Sequence, residues 1–286
     1  MVDVSVASSV IGADAIGATA EVLPPSAPRR PVVVHVPHAS RVVPTDVRQG
    51  IVLEDAALEE ELRRITDHRT DVLAADVGAH GALRFVNRRS RLVVDPERLP
   101  DDREEMRTVG MGAVYTRTTM GERLRAPDAG RDQMLLARYF VPYAHALQEL
   151  VGAFVDERGG ALIVDLHSYP SRRLPYELHG EARRPEVCIG THPVHTPARV
   201  RERVEEVAAA HGLSTDVDTV FRGTYVPERW YGLDPRVRSV MLELRRDTYL
   251  EERTATPHAG ETAVRTFVTD VVATLADDLE RDLGAA

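Results

Sequence analysis

The chain has 286 residues, of which 43% are hydrophobic and 28% are charged, and its formal net charge is −9. These proportions are ordinary for a soluble globular protein, and the acidic excess argues against nucleic acid or a membrane as a partner. Its single cysteine, Cys188, excludes an internal disulfide framework and predicts a cytoplasmic location, while the absence of lysine excludes Schiff-base and P-loop lysine chemistry.

The first thirty residues (1–30) are rich in small residues and proline, and they lack the basic region with which a signal peptide begins. We therefore expect a poorly ordered tail there, followed by a single catalytic domain over residues 31–286. No run of residues is long and apolar enough to span a bilayer, which also argues against a membrane protein.

Patterns typical of strands and helices alternate along the rest of the chain. Short apolar or β-branched runs predict strands at 32–36, 83–86, 91–94, 162–166, 187–190 and 239–244. Apolar residues at helical spacing predict helices at 54–77, 135–156, 197–211 and 262–283. This alternation indicates an α/β fold, a three-layer α/β/α sandwich around a mixed, mostly parallel central sheet.

Residues 100–130 carry many charges and glycines but show no clear period. We predict a long loop that closes over the functional site as a lid and brings Arg117 to a substrate. The alternative is an ordinary variable surface loop.

Polar side chains in the first half of the chain indicate a metal site. His38 directly follows the first predicted strand, at the edge where open α/β sheets bind ligands, although it could also be a strand-end histidine bonded to a loop carbonyl. Asp67 and Asp71 are four residues apart in the predicted helix 54–77 and would share one face. Like charges at this spacing repel unless a cation neutralises them, and the alternative is a solvated helix face.

Two later strands deliver a histidine and a carboxylate to the same edge. Asp165 lies at the end of the predicted strand 162–166 and His167 directly follows it; both point to the same side, so the carboxylate could orient the imidazole. Glu243 lies in an apolar run, where an unpaired carboxylate is costly to bury. It is either a general base with a tuned pKa or half of a buried ion pair with one of the two arginines that follow it.

Several segments in consistent order resemble the N-formylglutamate amidohydrolase family of zinc-dependent hydrolases. They are 34–40 (Val-His-Val-Pro-His-Ala-Ser), 66–71, 87–88 with 94–98, 165–171, 190–191, 221–225 with 231–232, and 243–249. The resemblance covers residues from about 30 to 250, and its parts also resemble the wider zinc carboxypeptidase and acylase group, whose fold is an α/β/α sandwich. It implies cleavage of the amide bond of a small acidic N-acyl amino acid, such as N-formylglutamate, by metal-activated water.

The resemblance also implies roles for individual residues. A zinc ion would be held by His38, His167 and a carboxylate from either Asp67 or Asp71, with Glu243 as the base that activates water. The arginines Arg88, Arg98 and Arg117, which follow the segment 66–71, would polarise the amide carbonyl or bind substrate carboxylates. We assign the first role to Arg88, and we assign substrate binding to Arg98, Arg117, Tyr225 and Arg245.

The chain departs from the family pattern mainly at positions expected to contact substrate. Glu97 replaces an asparagine, and Gly223-Thr224 replaces a double glycine. A zinc carboxypeptidase-like peptidase and a metal-free binding protein on the same fold therefore remain as alternatives. A serine hydrolase is disfavoured because the chain has no G-x-S-x-G motif. The sequence does not indicate the oligomeric state.

Overall fold

The computed structural model describes residues 19–178 and 183–285, and a seven-stranded mixed sheet forms its centre. The strands are β1 (Ala20–Leu23), β2 (Val32–Val36), β3 (Leu83–Asn87), β4 (Ala161–Tyr169), β5 (Val187–Gly190), β6 (Thr215–Val217) and β7 (Val237–Arg245). Their order across the sheet is β1-β3-β2-β4-β7-β5-β6. The four central strands β3, β2, β4 and β7 are parallel, whereas β1 and β5 run antiparallel to their inner neighbours. A two-stranded hairpin, β8 (Leu250–Glu251) and β9 (Thr256–Pro257), lies apart from this sheet.

Helices cover both faces of the sheet. They are α1 (Thr45–Arg48), α2 (Asp55–Ile65), α3 (Thr70–Leu73), α4 (Ala129–Leu135), α5 (Val141–Arg158), α6 (Ala198–Ala210) and α7 (Gly260–Gly284). A π-helical turn, Leu136–Phe140, joins α4 to α5 just before Pro142, whose missing amide hydrogen disturbs the regular helical ladder. Shorter 3₁₀ turns occur at Val77–His80, Glu105–Val109 and Arg246–Thr248. Across the described residues, the helices fall short of the length and apolarity that a membrane span requires.

The alternation of side chains along the strands produces one core on each face of the sheet. Val32, Val34 and Val36 of β2 pack on one face with α3, α6 and α7. Val33 lies on the opposite face, where it packs in one cluster with residues of α5 such as Leu147. Because side chains alternate across a strand, consecutive valines supply both cores. The predicted three-layer α/β/α sandwich with a mostly parallel sheet is confirmed.

Most predicted elements are present, with boundaries shifted by a few residues, but three regions differ from the sequence prediction. The predicted strand at 91–94 is irregular: its apolar side chains are buried in clusters that include residues of α1, α2 and α4, not by strand pairing. The predicted tail 1–30 is partly outside the described residues. Its later part contains β1, which pairs with β3, so residues 20–23 belong to the sheet. The assignment of 31–286 to one catalytic domain stays a prediction.

The predicted helix 54–77 is broken at residues 66–69. The backbone amide of Asp67 donates to the carbonyl of His38, 3.0 Å away, and Arg69 adopts a left-handed backbone conformation with φ of 64°. The hydroxyl of Tyr249 donates to the carbonyl of His68 in the same break. These contacts stop the helix and place Asp67 beside the loop that follows β2, so Asp67 and Asp71 do not share a helix face.

Residues 100–130 contain little regular structure, as predicted, but much of the segment is packed into the protein. Met106, Met111, Tyr115 and Leu124 join a hydrophobic cluster with residues of α2. The side chain of Arg117 is exposed and donates to the carbonyl of Gly121 within the same segment. The arrangement does not match a lid that carries Arg117 to a substrate.

Candidate metal and catalytic site

The candidate site lies at the carboxyl ends of the central parallel strands. His38 follows β2 by two residues, and His167 and Glu243 are register partners near the ends of β4 and β7. Asp67 joins them from the break after α2, held there by the hydrogen bond that its backbone amide donates to the His38 carbonyl. The fold therefore gathers side chains that are far apart in sequence at the sheet edge where α/β proteins bind ligands.

Three donor atoms of His38, His167 and Asp67 converge on one point. The Nδ1 atoms of the two histidines are 3.2 Å apart, and Asp67 Oδ2 lies 3.0 Å from His167 Nδ1 and 3.5 Å from His38 Nδ1. All three side chains are buried. Asp71 is not part of this group, because its carboxylate accepts from the neighbouring amide of Val72. The structure thus brings Asp67, and not Asp71, to the two histidines.

These donors fit a divalent transition-metal ion. Two imidazole nitrogens that face each other can share at most one proton, whereas two lone pairs aimed at one point suit a cation. Ligands of tetrahedral zinc, with bonds of about 2.0–2.1 Å, lie about 3.3 Å apart, close to the separations found here. A set of two imidazoles and one carboxylate with room for water is a typical catalytic zinc arrangement.

The other nitrogen of His38 is fixed by a buried carboxylate. His38 Nε2 donates to Asp95 Oδ1 over 2.9 Å, which leaves the lone pair on Nδ1 facing the cluster. Asp95 also accepts from Arg91 and from the hydroxyl of Tyr115. Burial opposes ionisation of Asp95, but Arg91 and His38 hold its pKa well below the usual value. Tyr115 therefore supports the site through Asp95.

Asp67 is held in place by a buried guanidinium. Arg246 Nη2 donates to Asp67 Oδ1 over 3.2 Å and to the carbonyl of Ser168. Burial opposes ionisation of Asp67, yet its contacts with His167 and His38 lower its pKa below the ordinary value. Arg246 contacts Asp67 and Ser168 and makes no ion pair with Glu243, so this predicted pairing is absent among the described residues.

Glu243 is a buried carboxyl group with an available oxygen. Only 7% of the residue is exposed, and its Oε2 has no hydrogen-bond partner among residues 19–178 and 183–285. Burial raises the pKa of Glu243 to about 8, and the charge of Asp67 adds to the effect. A carboxyl group with such a pKa beside a metal site suits general acid–base chemistry near neutral pH.

A second group of buried polar side chains lies behind the histidines, and one of its members, His35, was not predicted from the sequence. His35 lies in the middle of the valine run of β2 and contacts Asp165, Glu97 and Tyr143. Burial alone would lower the pKa of His35, but hydrogen bonds and charges from Asp165 and Glu97 raise it. A histidine within an otherwise apolar buried strand was the available signal, since a buried polar group requires partners.

A cavity of about 960 Å³ opens onto this site, and two of the predicted substrate-binding residues line it. The guanidinium of Arg98 is 3.7 Å from Asp95 and 3.8 Å from Glu104, too far for hydrogen bonds, and its Nε has no partner in the described part of the chain. The ring of Tyr225 lies against His35, with centroids 4.9 Å apart. Arg98 therefore offers unused donors to a ligand in the cavity.

Three other predicted arginines lie away from the cavity. Arg88 forms an ion pair with Glu21 of β1, because the end of β3 lies beside that edge strand. Arg245 donates to Asp247 and to a loop carbonyl. Arg117 is exposed, as described above. The roles assigned to these three residues from the sequence are therefore not supported by their positions.

The chain is similar in sequence to proteins of one known family. Residues 30–250 match the profile of the family described as N-formylglutamate amidohydrolase. An N-formylglutamate deformylase of Pseudomonas aeruginosa is 28% identical over 247 residues, which cover 83% of this chain and 89% of the relative. A protein of the same name from Pseudomonas putida is 29% identical over 236 residues, covering 78% and 83%.

Solved structures show the same fold. The crystal structure of an N-formylglutamate amidohydrolase from Ralstonia eutropha superposes with a TM-score of 0.80 and covers 93% of this chain and 99% of that chain at 21% identity. A gene product of Agrobacterium tumefaciens superposes with a TM-score of 0.69 at 17% identity, covering 92% and 96%. The likeness extends over nearly the whole length of each chain.

Proposed function

The chain belongs to the N-formylglutamate amidohydrolase family, and we propose that it is a zinc-dependent amidohydrolase that cleaves an N-formyl or related N-acyl amino acid. The single observation that carries this proposal is the convergence of His38, His167 and Asp67 beside the buried carboxyl group of Glu243. A zinc ion, when bound by these three residues, would polarise the amide carbonyl and make water more acidic.

The role of Glu243 follows from its position. A carboxylate at this position takes a proton from the attacking water while the water oxygen bonds to the carbonyl carbon. The protonated Glu243 then gives that proton to the amide nitrogen as the carbon–nitrogen bond breaks, which releases the acid and the free amine. General acid–base transfers need a side chain close to the reacting atoms, and Glu243 lies beside the ligand His167 on the adjacent strand.

The substrate preference is proposed from the cavity and from the relatives. Arg98 presents unused guanidinium donors to the cavity, and a planar guanidinium binds a carboxylate through two parallel hydrogen bonds. The Pseudomonas relatives are named N-formylglutamate deformylases. An acidic N-formyl amino acid supplies both features, a carboxylate for Arg98 and an amide bond for the metal site.

A substrate panel tests the proposed function directly. The zinc-loaded protein is assayed with N-formyl-glutamate, N-acetyl-glutamate, N-formyl-leucine and a dipeptide, with release of free amine as the readout. We expect the highest kcat/KM with N-formyl-glutamate and loss of activity after treatment with a chelator. Cleavage of the dipeptide alone would instead identify a peptidase, and activity that is indifferent to chelation would exclude the metal mechanism.

A further inference from the structure

The buried group behind the metal site links two histidines through two carboxylates. Asp165 Oδ1 lies 2.9 Å from His35 Nδ1 and 3.1 Å from His167 Nε2, so a single oxygen stands between the two imidazoles. Glu97 spans the same pair, with Oε1 at 3.3 Å from His35 Nδ1 and Oε2 at 3.2 Å from His167 Nε2. We call His35, Glu97 and Asp165 the inner polar cluster.

The positions of the protons in this cluster follow from the donor chemistry. An ionised carboxylate only accepts hydrogen bonds, so His35 must carry a proton on Nδ1 to donate to Asp165. In the same way, His167 binds a metal through Nδ1 only if its proton is on Nε2, which faces Asp165 and Glu97. His167 Nε2 lies within hydrogen-bond distance of Asp165 and Glu97, but the angles to their oxygens are poor. It therefore has no hydrogen-bond partner among the described residues.

His35 also contacts both carboxylates of this cluster. Asp165 is almost fully buried, and the side chain of Glu97 is 14% exposed, so two carboxylates share a poorly solvated space. A buried carboxylate oxygen needs a hydrogen-bond donor in place of the water that it has lost. Apart from His167, His35 is the imidazole that contacts both of them among the described residues.

The far side of His35 is anchored to another element. Its Nε2 lies 2.6 Å from the hydroxyl of Tyr143 on α5, and its ring packs against that of Tyr225. The backbone amide of Tyr225 donates to the second oxygen of Asp165, over 3.0 Å. The orientation of the inner polar cluster is thus determined by α5 and by the loop that carries Tyr225.

We propose that His35 is a positioning residue for the metal site. By donating to Asp165 and lying against Glu97, it holds both carboxylates beside His167 Nε2, so that the proton of His167 stays on Nε2 and Nδ1 is offered to the metal. The inference rests on the metal site of the proposed function, but it concerns metal affinity and not the choice of substrate. Residues that orient a metal ligand without touching the metal typically lower metal affinity by about 10- to 100-fold when they are removed.

The test compares zinc affinity in His35→Gln and in the wild-type chain by competition with a chromophoric chelator. We expect affinity to fall about 10- to 100-fold, and activity to recover when zinc is raised to saturation, since His35 touches no reacting atom. His195→Gln is the matched control, because His195 is equally buried but bonds to the backbone of Val237 and Gly232. That control should leave zinc affinity unchanged.

Two outcomes would overturn the inference. One is an unchanged zinc affinity in a folded His35→Gln protein. The other is two zinc ions per wild-type chain with one lost in the variant, which would make the inner polar cluster a second metal site. If His35→Gln does not fold, Glu97→Gln replaces it with the same loss of affinity expected, and an unchanged affinity in that variant would equally overturn the inference. Failure of the wild-type chain to bind zinc would instead contradict the proposed function.

Discussion

His167 and Glu243 are register partners on the adjacent parallel strands β4 and β7, so a candidate metal ligand and a buried carboxyl group reach the sheet edge side by side. The pairing fixes their relative position through backbone hydrogen bonds and not through flexible loops. Sites built on regular elements hold their side chains more precisely than sites built on loops.

Replacing His167 with alanine should abolish zinc binding. The substitution removes one of three donors, and the remaining His38 and Asp67 cannot complete a tetrahedral site that also holds water. Metal analysis should show about one zinc per wild-type chain and close to none in the variant. His211→Ala is the control, since His211 pairs with Asp270 away from the cavity. Full zinc content in His167→Ala would refute the assignment of this residue as a ligand.

Glu243→Gln should retain zinc and the fold but lose turnover. Glutamine fills the same space without accepting a proton, and general acid–base catalysis typically contributes about 10²- to 10⁴-fold. The kcat for an N-formyl amino acid should therefore fall by that factor while zinc content is unchanged. Near-normal turnover would mean that another group accepts the proton.

Much of this site could be predicted from the sequence, because the strands that carry it have clear local patterns. His38, His167 and Glu243 follow or end apolar runs, and parallel strands bring such positions to one edge. Asp67 could not be placed in the same way. Apolar residues continue at helical spacing through the break that contains it, and the break is stabilised by a contact with His38 that is 29 residues away in sequence.

The arginines show the other limit of sequence reasoning. Arg88 and Arg98 both belong to the segments between residues 87 and 98 that resemble the family. Arg88 nevertheless contacts β1, whereas Arg98 faces the cavity. Nothing near Arg88 in sequence indicates its partner, because Glu21 lies in a strand within the region that composition marked as a tail. Local pattern reveals where a strand ends, whereas the partner of a long side chain depends on tertiary packing.

Neutralising Arg98 should mainly weaken binding of acidic substrates. A hydrogen bond to a charged group contributes about 1.5–3 kcal/mol, so Arg98→Gln should raise KM for N-formyl-glutamate about ten- to a hundredfold. The KM for a neutral substrate such as N-formyl-leucinamide should change little. Arg88→Gln is the matched control, because the structure pairs Arg88 with Glu21 outside the cavity. Equal effects of the two substitutions would contradict the assignment of Arg98 as the carboxylate-binding residue.

The raised pKa of Glu243 predicts a specific pH dependence of stability in the metal-free protein. Its pKa is about 8 in the folded chain against an ordinary value of 4.5, so the folded state holds a proton that the unfolded state has released. The stabilising contribution of the protonated group is therefore complete below about pH 4.5 and is lost as the pH rises through about 8. Glu243→Gln cannot ionise, so the variant should gain stability relative to the wild-type chain across this interval. Denaturant midpoints of chelator-treated protein at pH 5, 6.5 and 8 measure the difference, and the exposed Glu202→Gln on α6 serves as the control. If the midpoints of Glu243→Gln and wild type differ by the same amount at all three pH values, Glu243 titrates below pH 5 and the prediction is wrong.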